Sequence, residues 1–232
     1  MIPQAAKNTI QGETRHEDDF YATPGICTEV LLERLNALRF YNQHFYGHRL
    51  HEIWEPACGD LAISKVFHTG GFTVMNSDIV DRCTEDTTYN RWKKAGCWFK
   101  WDFIGPNQGK LPITARYKDT WEDLAVITNP PFKHWLEFAV KALEYTNEVC
   151  LFGMLNYLSG IGRYNQLFSV NPPQLIMVFP KRVEFSNGSN FYDFCWYIWN
   201  DELKQQNDGR TIIEWINPDQ LDFKQYKLWS KA

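Results

Sequence analysis

Leu50-His51-Glu52-Ile53-Trp54-Glu55-Pro56-Ala57-Cys58-Gly59-Asp60 is a short apolar run closed by a proline and a glycine. Its branched and aromatic residues suit a strand, and Pro56 and Gly59 end that strand in a tight turn. The pattern recurs downstream. Phe72 to Met75 stops at Asn76-Ser77-Asp78, Cys97 to Trp101 stops at Asp102, and Leu124 to Thr128 stops at Asn129-Pro130-Pro131. Val149 to Leu155 follows, then Leu175 to Phe179 with Pro180 as its stop, then Phe194 to Trp199 after a polar segment containing Ser186-Asn187-Gly188-Ser189-Asn190. Stretches of helical period accompany these runs: Thr28 to Phe40 before the first, Ala62 to Phe67 after it and Lys133 to Tyr145 after the fourth. In the last, Trp135, Phe138, Ala139, Ala142 and Leu143 share one face. This alternation predicts an α/β fold, a Rossmann-like and mostly parallel sheet of seven strands with helices on both faces and the last two strands paired as an antiparallel hairpin.

The 232 residues, with 24 basic against 28 acidic side chains and 44% hydrophobic content, exclude a disordered or collagenous chain. They predict one domain over residues 1–232, large enough to bury a core without disulfides or a structural metal. The net charge of −4 argues against a surface that grips polyanions everywhere, while leaving a local basic groove open. Six scattered cysteines without a CxxC pair point away from a zinc site or a disulfide framework. His44, His48 and His51 have helix-like spacing but no accompanying carboxylate cluster, so no metal is expected. Without a secretory leader or an apolar run of about 18 residues, the chain reads as cytoplasmic, reduced and free of membrane. Aromatic residues make 16% of it, a stock that suits both a core and stacking on flat ligands.

In an open parallel sheet the ligand lies beyond the carboxyl ends of the strands, so the first four strand ends read as one site. Gly59 lets the backbone approach a ligand, and Glu55 and Asp60 make the mouth acidic, which disfavours a phosphate-rich dinucleotide and suits a positively charged ligand. Asp78 stands where an acid accepts from a ribose diol. Asp102 is placed to accept from an exocyclic amine, and Phe103 to pack on a purine. An acid for an ammonium, one for a ribose and one for an adenine amine add up to S-adenosylmethionine. Each acid taken alone is also an ordinary cap or turn former, and Cys58 reads as a packing residue. In Ile127-Thr128-Asn129-Pro130-Pro131-Phe132 the two prolines hold the Asn129 amide and the following carbonyls rigidly at a strand end. An amide oxygen and the Pro130 carbonyl then accept both hydrogens of a planar amine, and Phe132 offers a face for its carrier ring. A second copy, Asn171-Pro172-Pro173, precedes a strand and reads as a loop.

Taken in order, these segments resemble class I S-adenosylmethionine-dependent methyltransferases of the amino-group type, most similar to phage-type N6-adenine DNA methyltransferases. Asp19-Phe20-Tyr21-Ala22-Thr23-Pro24 is similar to the motif placed before that family's first strand, and Glu55-Pro56-Ala57-Cys58-Gly59 to its cofactor loop. The resemblance implies cofactor contacts at Tyr21, Thr23, Pro24, Glu55, Pro56, Ala57, Gly59, Asp78, Ile79, Asp102, Phe103 and Asn129. It implies a catalytic motif at Asn129, Pro130, Pro131 and Phe132, and base contacts at Phe132 and Phe185; Lys133, Arg163, Lys181 and Arg182 are candidate substrate contacts by their charge alone, which also suits a solvated face. The block Phe179 to Phe185 resembles the family's penultimate hairpin, whose aromatic residue flanks a flipped base. Leu61 departs from the pattern, standing where the family carries a second glycine.

No separate target-recognition domain is evident, so DNA contact is expected from an insertion at 104–122, the loop Arg182 to Tyr192 and an extension at 201–232, with short or relaxed sequence reading. Arg116 and Lys118 join the other basic residues as candidates for a phosphate groove. The expected reaction is methylation of the adenine N6 amine of DNA by a monomer, in the host cytoplasm if phage-encoded. Because related families use NPPF and NPPY on adenine or guanine in RNA and on glutamine side chains, those substrates stay open. So does an inactive binding module of the same fold.

Overall fold

The computed structural model describes residues 20–45, 52–82, 87–95, 97–106, 124–185 and 192–221, with backbone alone at 38–45 and 87–89. Its elements in chain order are α1 (Gly25–Phe45), β1 (Glu52–Glu55), α2 (Ala62–Thr69), β2 (Thr73–Asp78), α3 (Thr87–Lys94), β3 (Trp98–Lys100), β4 (Leu124–Thr128), α4 (Trp135–Leu143), β5 (Val149–Met154), α5 (Ile161–Arg163), β6 (Leu175–Val178), β7 (Phe194–Trp199), α6 (Asp201–Gln206) and β8 (Ile212–Trp215). The strands form one sheet in the order β3-β2-β1-β4-β5-β7-β6-β8. β7 runs antiparallel to both β5 and β6, and every other pair is parallel.

The expected α/β sheet and its antiparallel β6–β7 pair are present, but the count of seven strands is corrected to eight. β8 pairs parallel with β6 at the sheet edge, from Leu175 opposite Ile212 to Val178 opposite Trp215. Its Ile212, Ile213 and Trp215 are exposed, so it lacks the buried apolar character that marks the central strands. By contrast, β4 and β7 are buried along their whole length, as covered strands must be. The helix α3 was also not anticipated; its sequence is polar and commits one described side chain, Trp92, to the core.

Helices cover both faces. On one, the Trp196 indole donates to the Cys27 carbonyl at 2.8 Å and so ties α1 to β7. Arg34 on α1 forms a two-pronged pair with Glu214 at 3.0 and 2.9 Å, which holds the edge strand β8 to the same helix. On the other face Trp135 donates to the Phe152 carbonyl at 3.1 Å, and the missing side chain of Gly153 makes its room: a Cβ there would lie 2.5 Å from the Trp135 nitrogen. Many of the described aromatic residues pack here. Trp54, Trp135, Trp196, Trp199, Tyr197, Phe67, Phe103, Phe152 and Phe194 are all fully buried. Stacked pairs such as Phe152 on Phe194 (5.1 Å, 9°) in one core and edge contacts such as Trp54 on Phe103 (5.1 Å, 80°) in the other tighten each face separately.

Among the described residues no helix is long and apolar enough to cross a membrane, and no group of three or more His, Cys, Asp or Glu is placed to hold a metal ion. Leu50, His51, Asp19, Cys83, Arg116, Lys118, His48, the loop 186–191, most of the 104–122 insertion and the tail beyond 221 lie outside the described residues, as does the side chain of His44.

Candidate active site

The strand order reverses between β1 and β4, and a cavity of about 400 Å³ opens outside their carboxyl ends. Its wall is built from the four strand-end segments and from the residues that precede α1. Tyr21 and Thr23 come from that approach to α1. Glu55, Pro56 and Ala57 come from the β1 turn, Asp78 and Ile79 from the end of β2, Asp102 and Phe103 from the end of β3, and Asn129, Pro130, Pro131 and Phe132 from the end of β4. Pro24 is off the wall, its carbonyl accepting from Cys27 at the start of α1.

Gly59 stands just behind the wall in the left-handed region (φ +51°), and its N–H donates to Asp78 Oδ2 at 2.9 Å. A side chain there would collide with the Phe20 ring at 2.1 Å. The other Asp78 oxygen accepts from Val80 N–H at 3.0 Å, so this one carboxylate clamps the β1 and β2 turns together while keeping a further lone pair on each oxygen. Asp102 accepts from Gly105 N–H at 3.0 Å and thereby shapes the β3 turn, and the Phe103 ring beneath it packs on Phe138 at 5.0 Å. Leu61 also adopts a left-handed conformation (φ 68°), at the start of α2, and its side chain is fully buried beside Cys58, Trp92 and Trp98.

Glu55 is buried, and Ser64 on α2 turns both its backbone N–H (2.9 Å) and its hydroxyl toward Glu55 Oε2. Burial lifts this carboxyl well above the usual carboxylate range. Donation from the Ser64 backbone N–H opposes that, and the negative charges of Asp60 and Asp78 reinforce it.

Asn129 is held through its amide nitrogen. Its Nδ2 donates to the Tyr21 carbonyl at 3.0 Å and to Thr23 Oγ1 at 2.9 Å. Because a carbonyl only accepts, the nitrogen must face Tyr21, which fixes the amide's orientation. Its Oδ1 is buried and has no hydrogen-bond partner. A buried acceptor left unpaired costs about 1–3 kcal/mol, so the fold holds an acceptor ready for an incoming donor. Phe132 stacks on Tyr21 (5.3 Å, 13°) and tilts against Phe194 at 5.6 Å, while its carbonyl accepts from the Tyr157 hydroxyl at 3.1 Å.

Other sequence-selected residues sit elsewhere. Lys133 and Arg182 are exposed and off the cavity wall, and Lys181 donates to the Pro218 carbonyl at 2.6 Å. Arg163 binds the Tyr157 and Ser159 carbonyls and lies over the Tyr157 ring at 5.0 Å, which fixes the segment after β5. Phe185 is buried against Tyr21 and Phe194, behind the aromatic face of the site. The cavity also recruits residues not singled out as site residues from sequence: Phe20, Arg82, Trp101, Ile104, Gly105, His134 and Phe138. Arg82 lies over the Phe20 ring at 4.7 Å, and the Trp101 indole N–H is buried without an acceptor. Phe20 carried a signal as the second residue of DFYATP, Phe138 lies on the buried face of α4, and Ile104 and Gly105 open the 104–122 segment; Arg82, Trp101 and His134 belong to connections whose path is set by tertiary packing.

No family model matches the sequence, and no curated protein matches it. Among solved structures the chain is similar to a candidate class I S-adenosylmethionine-dependent methyltransferase from Listeria monocytogenes, with TM-score 0.54 and 11% identity over 95% of this chain and 72% of that one. It is similar also to a candidate RNA methyltransferase from Pyrococcus horikoshii, with TM-score 0.52 and 16% identity over 78% of this chain and 86% of that one. A third likeness, with TM-score 0.51 and 10% identity, is to a Type ISP restriction-modification enzyme in complex with a DNA substrate mimic; it spans 91% of this chain and 29% of that larger one. The fold is therefore that of the class I S-adenosylmethionine-dependent methyltransferases.

Proposed function

We propose that the cavity binds S-adenosylmethionine and that the protein methylates the N6 amine of adenine in DNA. The observation that carries this reading is the buried, unpaired Oδ1 of Asn129 beside an amide nitrogen already committed to Tyr21 and Thr23. Such an acceptor suits an amine donor. The residues fit the cofactor: Glu55 and Asp60 offer negative charge to its amino-acid end, Asp78 offers acceptors to its ribose, and Asp102 and Phe103 offer an acceptor and a flat apolar face to its base. When bound, the cofactor supplies a methyl group on a positively charged sulfur.

The chain's own residues then handle the amine. Asn129 Oδ1 and the Pro130 carbonyl accept its two hydrogens, which concentrates the lone pair on nitrogen. Phe132 supplies a ring face for a base taken out of its stack. No strong base is needed, since the nitrogen loses its proton after attack, and positioning carries most of the rate. The choice of adenine in DNA rests on the order DFYATP, EPACG, NPPF. Incubation of the full chain with labelled S-adenosylmethionine and, separately, duplex DNA, single-stranded DNA, RNA and protein tests it. Label is expected in DNA and is expected to vanish in Asn129→Ala while cofactor binding persists. Label in RNA or protein alone would move the substrate, and an active Asn129→Ala enzyme would remove the mechanism.

A further inference from the structure

Ser64 Oγ contacts two acceptor atoms at once, Glu55 Oε2 and Asn76 Oδ1, with both Ser64 and Asn76 completely shielded from solvent. The Asn76 amide cannot be turned to relieve this. Its Nδ2 donates to the Cys97 carbonyl at 3.2 Å, and a carbonyl accepts only, so Oδ1 must face Ser64. The serine hydroxyl has one hydrogen for two acceptors. If Glu55 is a carboxylate, one of the two contacts sets lone pair against lone pair in a dry site. If Glu55 carries a proton, the chain closes: the carboxyl donates to Ser64, and Ser64 donates to Asn76.

We infer that Glu55, Ser64 and Asn76 form a proton-holding chain, so that Glu55 is protonated in the free protein and gives its proton to solvent when a cationic ligand enters the cavity. The inference rests on the preceding reading in taking that cation to be S-adenosylmethionine. The surroundings agree in sign. Burial is the main cost of a negative charge at Glu55, and Asp60 in the β1 turn and Asp78 at the end of β2 add to it. The remaining titratable groups on the cavity wall are Tyr21, Cys58, Arg82, Asp102 and His134. A cation beside Glu55 supplies the compensation that the free site lacks, which makes cofactor uptake and proton release one event. Ser64 is a positioning residue here: it acts through Glu55.

Calorimetric titration of the full chain with S-adenosylmethionine, at one pH in buffers of different ionisation enthalpy, reads the proton directly. The expected result is a buffer-dependent heat corresponding to release of about one proton per site, with affinity rising as pH rises until Glu55 is ionised in the free protein. Glu55→Gln removes the titrating proton, and its amide oxygen can still accept the Ser64 N–H that reaches Glu55 Oε2. It is expected to remain folded, to bind more weakly, and to show a heat that does not depend on buffer. Ser64→Ala fixes the direction of the hydrogen bond. If Ser64 accepts from the protonated carboxyl, its loss moves the pH dependence of affinity to lower pH; a move to higher pH means that Ser64 donates to a carboxylate, and the chain is overturned. Binding by the native protein with buffer-independent heat overturns the inference alone, whereas no binding of S-adenosylmethionine overturns the preceding reading and this inference with it.

Discussion

Thr23 Oγ1 accepts from Asn129 Nδ2 at 2.9 Å, a bond that joins residues 106 positions apart and ties the strand-end amide to the segment that precedes α1. Thr23 is itself 5% exposed, so its replacement leaves no water to take over. In Thr23→Val the Asn129 amide keeps only the Tyr21 carbonyl and gains a rotational choice that carries Oδ1 out of place. Loss of one such bond, about 1.4 kcal/mol, corresponds to about a tenfold fall in the single-turnover rate. The fall is expected in kcat with a smaller change in cofactor affinity; equal loss in both would assign Thr23 to cofactor binding instead.

Leu61 occupies a conformation that disfavours any residue with a Cβ by about 1–2 kcal/mol, yet its side chain is fully buried against Cys58, Trp92 and Trp98. Removing a buried leucine side chain costs about 2–5 kcal/mol. Burial wins, so Leu61→Gly is expected to destabilise the fold despite relieving the backbone, lowering Tm by about 2–4 °C for each kcal/mol lost. A higher Tm for Leu61→Gly would show that the strain outweighs the packing.

The central strands were legible because buried parallel strands are continuous apolar runs, as in Leu124–Thr128 and Val149–Met154. β8 was not, because what makes Ile212–Trp215 a strand is remote: backbone pairing with β6 and the Arg34–Glu214 ion pair across 180 residues. The site divides in the same way. Residues at strand ends such as Glu55, Asp78 and Asn129 follow from a topological rule and reach one cavity. Tyr21 and Thr23 were expected as cofactor contacts, but their bonds to Asn129 were not legible, since they meet it only after α1 and three strands have packed. Nor was the Glu55–Ser64–Asn76 contact, which needs the β1 and β2 registers and the start of α2 together.

Glu148, in the turn before β5, accepts from the Asn200 side chain and from Asp201 N–H, and burial is the main cause lifting its carboxyl from 4.5 to about 7. The folded protein therefore holds this proton more tightly than the unfolded chain does. Its stabilising effect is complete below pH 4.5 and is lost as pH rises through about 7. Thermal unfolding across that window is expected to show Tm falling as pH rises. In Glu148→Gln, which cannot ionise and keeps an acceptor for Asn200, the fall is expected to shrink. An unchanged slope would place the proton elsewhere.

Gly59 combines a positive φ with a ring packed where its side chain would be: a Cβ would lie 2.1 Å from Phe20 Cε2. The Arg82 guanidinium lies over the Phe20 ring at 4.7 Å, and the Gly59 N–H donates to Asp78. Gly59→Ala must therefore displace Phe20, and the turn's shift away from Asp78 loosens the clamp between the β1 and β2 ends. The damage is local to the cavity, because the buried strands behind it do not depend on that turn. The expected outcome is a loss of S-adenosylmethionine affinity of at least about tenfold, equivalent to about 1.4 kcal/mol, with far-ultraviolet circular dichroism unchanged. Native affinity in Gly59→Ala would mean that Phe20 moves at no cost and that the close approach of this backbone to the cavity is not used for binding.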